Sequence, residues 1–152
     1  MEALFEMFMD RLQYLHGEMV RVMRGLPQEG LDWVPGPEMN SLAVLVAHTA
    51  GSERFWMGDV VMGDPSGRDR ETEFRTAGLG AEALAGRLGG SLEYCRGVLA
   101  GLRVEDLGSP RESPGEGRQF TVAWILGHVL EHTALHTGHA QITRQLWEQR
   151  QG

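Results

Sequence analysis

Four segments of the chain repeat apolar residues at alternating steps of three and four, which is the period of one face of an α-helix. They cover roughly residues 2–24, 40–63, 80–102 and 121–148. The stripe of the first segment is Phe5, Phe8, Leu12, Leu15, Met19 and Val22. Four amphipathic helices on one chain predict an all-α four-helix bundle.

The connections between these segments carry residues that break helices. Residues 25–40 and 109–117 are rich in Gly and Pro, while residues 63–79 are polar and show no clear period. Residues 63–79, between the second and third predicted helices, are therefore predicted to form a long surface loop. No internal repeat or linker indicates a second domain, so residues 1–152 are expected to form a single domain.

The composition argues against several classes of function. With a net charge of −7 and no basic cluster, the chain is not expected to bind nucleic acid. No apolar run is long enough to cross a bilayer, and residues 1–6 lack the features of a signal peptide, so we expect a cytoplasmic protein without a membrane partner. All 14 Lys+Arg residues are arginine, which excludes a Schiff-base or P-loop lysine. Cys95, the only cysteine, lies on the third apolar stripe, which favours packing over nucleophilic catalysis.

Histidines are concentrated on the predicted fourth helix, which carries His128, His132, His136 and His139. A step of four residues turns a helix by only about 40°, so His132 and His136 project from the same side. His48 interrupts the apolar stripe of the second helix, so two helices direct imidazoles to the interior. Several buried imidazoles are costly to desolvate, and imidazole nitrogen is a preferred ligand of zinc, nickel, copper and iron. The pattern therefore predicts one divalent metal ion bound by His48, His132 and His136, with simple packing as the alternative.

Other polar residues near this pattern are given less defined roles. His128 and His139 are candidates for an additional metal ligand. Asp59, on the stripe of the second helix, and Glu131, on the fourth helix, are weak candidates for catalytic groups. His16 is interpreted as structural, because the sequence shows no partner for it.

Three stretches of sequence resemble the DinB/YfiT-like superfamily of metalloenzymes. Residues 40–48, followed by Glu53 and Trp56, are similar to the second-helix signature of that superfamily. Residues 121–139, TVAWILGHVLEHTALHTGH, resemble its fourth-helix signature. Residues 31–36 are similar to the loop that precedes the second helix. The resemblance spans nearly the whole chain.

This resemblance implies a four-helix bundle with one long crossover connection, often a homodimer, whose metal is held by residues corresponding to His48, His132 and His136. The chain departs from the family pattern at two positions. His139 stands where many members carry Gln, and members with this variant often carry Glu at the position of His132. The chain thus combines features of two branches, so the resemblance defines its metal site better than its activity.

The function implied is that of a metal-dependent S-transferase using a small cytoplasmic thiol, or of a metal-dependent hydrolase, acting on a small molecule. Zinc or nickel is the expected metal. Three protein ligands would leave coordination positions open, as catalytic sites do. The alternative is a non-catalytic metal-binding protein with a stress-response or structural role. Haem binding is a third possibility, although the chain lacks a C-x-x-C-H attachment motif.

Overall fold

Four long helices make up most of the computed structural model, which describes residues 1–115 and 117–151. They are α1 (Ala3–Met23), α3 (Leu42–Arg54), α5 (Ala81–Gly101) and α6 (Val122–Gln151). The connections contain α2 (Gln28–Asp32), α4 (Arg70–Phe74), a 3-10 helix (Val104–Gly108) and the strands β1 (Pro110–Glu112) and β2 (Gln119–Thr121). The strands pair antiparallel, with Arg111 opposite Phe120.

The long helices pack as a bundle, which confirms the predicted all-α architecture. Both α1 and α3 pack against α5 and α6, so α1 and α3 occupy diagonal corners. The connection between them, residues 24–41, therefore spans the diagonal. No helix within the described residues is long and apolar enough to cross a membrane.

The buried core is built from the apolar stripes expected on the helices. From α1 it takes Phe5, Phe8, Leu12, Met19 and Val22, and from α5 it takes Leu84, Leu88, Cys95 and Val98. Each such side chain contributes roughly 1.5–3 kcal/mol when removed from water. Glycines within α5 reduce its intrinsic helix propensity, so this burial has to stabilise the helix.

Helix α3 is positioned by its N-cap and continues beyond its last residue in a wider helical form. The Val44 amide donates to Ser41 Oγ over 3.2 Å, which satisfies one of the free N–H groups at the helix start. Residues Phe55–Met62 then form a π-helix, which ends at Gly63 with φ +65°. A glycine adopts this left-handed conformation without the steric cost of a Cβ atom.

The prediction of a long surface loop over residues 63–79 is wrong in part, because this stretch contains a short helix. This segment contains α4, whose first turn is capped by the Asp69 carboxylate, which accepts from the Thr72 amide over 3.2 Å. Glu73 of α4 is buried against α3. A helix of five residues is too short to show an apolar period, which is why the sequence pattern did not indicate it.

Candidate metal centre

The imidazoles of His48, His132 and His136 converge at the contact between α3 and α6. His132 Nε2 lies 3.1 Å from His48 Nε2 and 3.2 Å from His136 Nε2. One ligand nitrogen from each of the three residues lies within 4.8 Å of the other two. The structure thus brings together the three histidines that the sequence pattern singled out.

The donor set fits a divalent metal ion. Two nitrogens bound tetrahedrally to zinc at about 2.0–2.1 Å are about 3.4 Å apart, close to the separations seen here. Hydrogen bonds alone satisfy this arrangement poorly, because a neutral imidazole carries a single N–H and His132 Nε2 faces two other ring nitrogens. A cation between the rings would accept a lone pair from each of them.

The local electrostatics keep His132 and His136 in the form that binds metal. Burial, together with the neighbouring His136 and His48, lowers the pKa of His132 to about 3. Burial, together with His48 and His139, lowers the pKa of His136 to about 4. Both rings are therefore neutral near pH 7, and a metal does not have to displace a proton from them.

His48 is oriented by a carboxylate that the sequence analysis did not identify. Its Nδ1 lies 3.0 Å from Glu73 Oε2, and Arg68 donates to both Glu73 oxygens, over 2.7 Å and 2.9 Å. Burial raises the pKa of Glu73, but the hydrogen bonds from Arg68 and His48 outweigh it and the net shift is downward. An ionised carboxylate only accepts hydrogen bonds, so we assign the proton of His48 to Nδ1. The Nε2 lone pair then faces the other two histidines, as in carboxylate–histidine–metal arrangements.

The close approach of Glu73 to α3 depends on a glycine. A Cβ atom at Gly51 would lie 2.0 Å from Glu73 Oε1 and 2.7 Å from its carboxyl carbon. Real Cβ atoms do not make such contacts, so another residue at this position would displace the carboxylate. Gly51 therefore belongs to the structure that orients His48.

The two additional ligand candidates lie outside the group of three. His139 Nδ1 is 3.4 Å from His136 Nδ1, the ring nitrogen other than the one that faces His132. The His128 ring stacks on Trp124, with ring centroids 5.0 Å apart and planes 9° apart, and its centroid is 5.7 Å from that of His132. These positions place His139 behind the candidate ligand His136 and His128 beside the candidate ligand His132. Their assignment as ligands stays a prediction.

The two candidate catalytic carboxylates, Asp59 and Glu131, differ in burial and in contacts. Asp59 Oδ1 accepts from the Ser66 amide over 3.1 Å and lies 3.6 Å from Arg54 Nη1. Glu131 is exposed on α6. A catalytic role for either residue stays a prediction.

Sequence reasoning missed Glu73 and Arg68, and it found no partner for His16. The Asp69 cap was a local sequence signal for α4, but it does not show which way Glu73 points. His16 Nε2 lies 2.8 Å from Glu53 Oε1, deep in the bundle. The residues of this pair are 37 positions apart, so no helical spacing relates them.

Comparison with known proteins shows the family and a similar fold. Residues 11–140 match the model of the DinB superfamily, and the chain belongs to this superfamily. Its fold is similar to a crystal structure described as the conserved protein of a locus from Enterococcus faecalis. That similarity has a TM-score of 0.77 at 16% sequence identity, over 96% of this chain and 97% of the other. No curated protein matches the chain.

Proposed function

We propose that this protein binds one divalent metal ion, zinc or nickel, through His48, His132 and His136 and catalyses the transfer of a small thiol to a small molecule. The convergence of the three Nε2 atoms is the observation that carries the proposal. When bound, an ion with three protein ligands supplies a Lewis acid with open coordination positions, as catalytic metal sites do.

The chain offers no reactive thiol of its own. Cys95, on the inner face of α5, is fully buried in the core, and burial raises the pKa of its thiol. A buried thiol with a raised pKa is a poor nucleophile at neutral pH. The sulfur in the proposed reaction would therefore come from a small co-substrate.

Hydrolysis is the second candidate reaction, and the existing contacts of Glu73 and Asp59 favour it less. A hydrolase of this kind uses a general base to take a proton from water. Glu73 already accepts from Arg68 and His48, and Asp59 accepts from the Ser66 amide. A thiol of suitable acidity needs no such base, which is why we prefer the transferase.

Metal binding is tested by loading the purified protein with zinc or nickel, dialysing it and measuring the metal by elemental analysis. We expect one ion per chain. The His132→Ala variant should bind more than about 100-fold more weakly, since loss of a group that only orients a ligand already costs about 10–100-fold. Leu135→Ala, a change at a side chain of α6 that is 55% exposed, is the matched control and should bind normally. Equal metal content in His132→Ala and wild type would overturn the site.

Catalysis is tested by following the consumption of small thiols with an electrophile by the loaded protein. The proposal expects turnover that is absent from the His132→Ala variant. One tightly bound metal without thiol transfer, but with ester hydrolysis, would support the hydrolase. Tight binding with neither reaction would support the non-catalytic metal-binding protein.

A further inference from the structure

We propose that His139 is a positioning residue of the metal centre, whose ring accepts a hydrogen bond from His136 and keeps that ligand turned towards the ion. The inference rests on the proposed function, because it concerns a ligand of the same site. It gives His139 a role different from that of an additional ligand. The distance between two ring nitrogens, the tautomer that metal binding requires and the exposure of His139 carry it.

His136 and His139 lie on one face of α6 and meet through their ring nitrogens. They are three positions apart, a spacing that places side chains next to each other on a helix. Their Nδ1 atoms are 3.4 Å apart, and the ring planes are inclined by 60°. The other nitrogen of His136, Nε2, lies 3.2 Å from His132 Nε2. One nitrogen of His136 therefore faces the other candidate ligands, and the second faces His139.

Metal binding determines where the protons of these two rings lie. A neutral imidazole carries one N–H, and the nitrogen that binds a metal has to present its lone pair. If His136 binds through Nε2, its proton is on Nδ1. Within the described residues, His139 Nδ1 is the one hydrogen-bond partner of this nitrogen. His139 Nδ1 accepts only when its own proton is on Nε2, so the metal-bound state fixes the tautomers of both rings.

The exposure of His139 allows it to adopt this tautomer at little cost. His139 is exposed and lines a surface cavity of about 240 Å³, where water can accept from its Nε2–H. His136 is half-buried, and an N–H that is removed from water without an acceptor costs free energy. The hydrogen bond to His139 therefore favours the orientation of the His136 ring in which Nε2 faces the ion.

The arrangement at His136 resembles the one at His48, but its acceptor is weaker. In both cases the nitrogen that points away from the ion meets an acceptor, Glu73 for His48 and His139 for His136. Such partners fix the tautomer and the orientation of a metal ligand. Glu73 is buried and carries a charge, whereas His139 is exposed and neutral. Since hydrogen bonds to charged groups are stronger, we expect the contribution of His139 to be the smaller one.

The test compares the zinc affinities of His139→Leu and His139→Asn with that of wild type, by competition with a chromophoric chelator. Leucine fills similar space without an acceptor, and asparagine places its amide oxygen near the position of the imidazole Nδ1. We expect His139→Leu to bind zinc about tenfold more weakly, the lower end of the range for loss of an orienting group. His139→Asn should stay within about twofold of wild type, because its oxygen replaces the lost acceptor.

Two further measurements distinguish positioning from a general effect on the fold. Gln145→Leu, at an exposed residue of α6 that lines a different cavity beside α1, is the matched control and should bind zinc normally. All three variants should unfold at the urea concentration of wild type, because substitutions at exposed side chains rarely change stability. With cobalt in place of zinc, the visible absorption of His139→Leu should differ from that of wild type, and His139→Asn should restore it.

The outcomes separate this inference from the proposed function. Equal zinc affinity in His139→Leu and wild type would overturn the inference and leave the proposed function standing. Equal losses in His139→Leu and His139→Asn would also overturn it, because the acceptor would not be their cause. If both losses were as large as that of His132→Ala, His139 would be a ligand and not a positioning residue. A wild-type protein that binds no metal would overturn the proposed function, and this inference with it.

Discussion

Two buried histidine–glutamate pairs lie in this bundle, and their surroundings differ. In the centre, His16 Nε2 is 2.8 Å from Glu53, and nearer the surface His48 Nδ1 is 3.0 Å from Glu73. Glu53 also accepts from the hydroxyls of Ser91 and Thr133, over 2.5 Å and 2.8 Å. The central network thus takes one residue from each of the four long helices, α1, α3, α5 and α6.

The difference shows how the same chemical pair serves two purposes. Around Glu53 an acceptor is surrounded by donors from the other three long helices, so the network holds the helices in register. At His48 the ring nitrogen beyond the Glu73 contact faces two further imidazole nitrogens instead. Lone pairs that converge without enough hydrogens make a site for a cation. Each pair should therefore respond to mutation in its own way, the first in stability and the second in metal affinity.

The largest effect is expected at the central network. Glu53→Ala should lower the free energy of unfolding by about 3–5 kcal/mol, because it leaves buried donors without their acceptor. Urea denaturation measures this loss. Ser91→Ala removes one donor of the same network and should cost only about 0.5–1.5 kcal/mol. If the two variants are equally stable, Glu53 does not hold the four helices together.

The next largest effect is expected at the His48–Glu73 pair, where it should appear as a loss of metal affinity. Glu73→Gln keeps the size of the side chain but removes the charge that orients His48, so the affinity for zinc should fall about 10–100-fold. Its effect on the free energy of unfolding should be smaller than that of Glu53→Ala. Glu71→Gln is the matched control, since Glu71 is an exposed residue of α4 whose carboxylate forms a surface ion pair with Arg75. Equal zinc affinities for the two variants would remove Glu73 from the metal centre.

The sequence predicted the parts of this structure that depend on local periodicity. The bounds of α1, α5 and α6 follow from apolar spacing, and the pairing of His132 with His136 follows from a step of four on a helix. The rest depends on contacts between distant segments. A stripe shows that His16 and His48 point inwards, but not which residue of another helix each one meets.

Glu73 and Arg68 illustrate the second limit of sequence reasoning. They lie in and beside a helix of five residues, within a segment whose polar composition is typical of a surface loop. Glu73 is buried because Arg68 and His48 compensate its charge, and neither interaction has a signature in the spacing of residues. A buried acid whose partner comes from another element is found only once the fold is known.

The smallest effect is expected at a glycine, where a substitution would act on the metal centre only by moving the Glu73 carboxylate. Alanine is about 1 kcal/mol more favourable than glycine inside a helix, so Gly89→Ala, in open space on α5, should stabilise the protein by up to that amount. The same change at Gly51 on α3 would place a methyl group against the Glu73 carboxylate. We expect Gly51→Ala to weaken zinc binding by up to about tenfold, the lower end of the range for a displaced orienting group.

Combining Gly51→Ala with Glu73→Gln tests whether the glycine acts through the carboxylate alone. Residues in contact are expected to be non-additive, so the double variant should bind zinc about as weakly as Glu73→Gln by itself. If the two losses add in full, Gly51 affects the histidines by a route other than Glu73. Because Gly51→Ala adds a single methyl group and removes no polar atom, a loss of zinc affinity absent from Gly89→Ala would locate the effect in the position of the carboxylate. The atoms nearest to a Cβ at Gly51 all belong to Glu73, and a Cβ at Gly89 has none within 4 Å, so we expect neither variant to disturb the central His16–Glu53 pair.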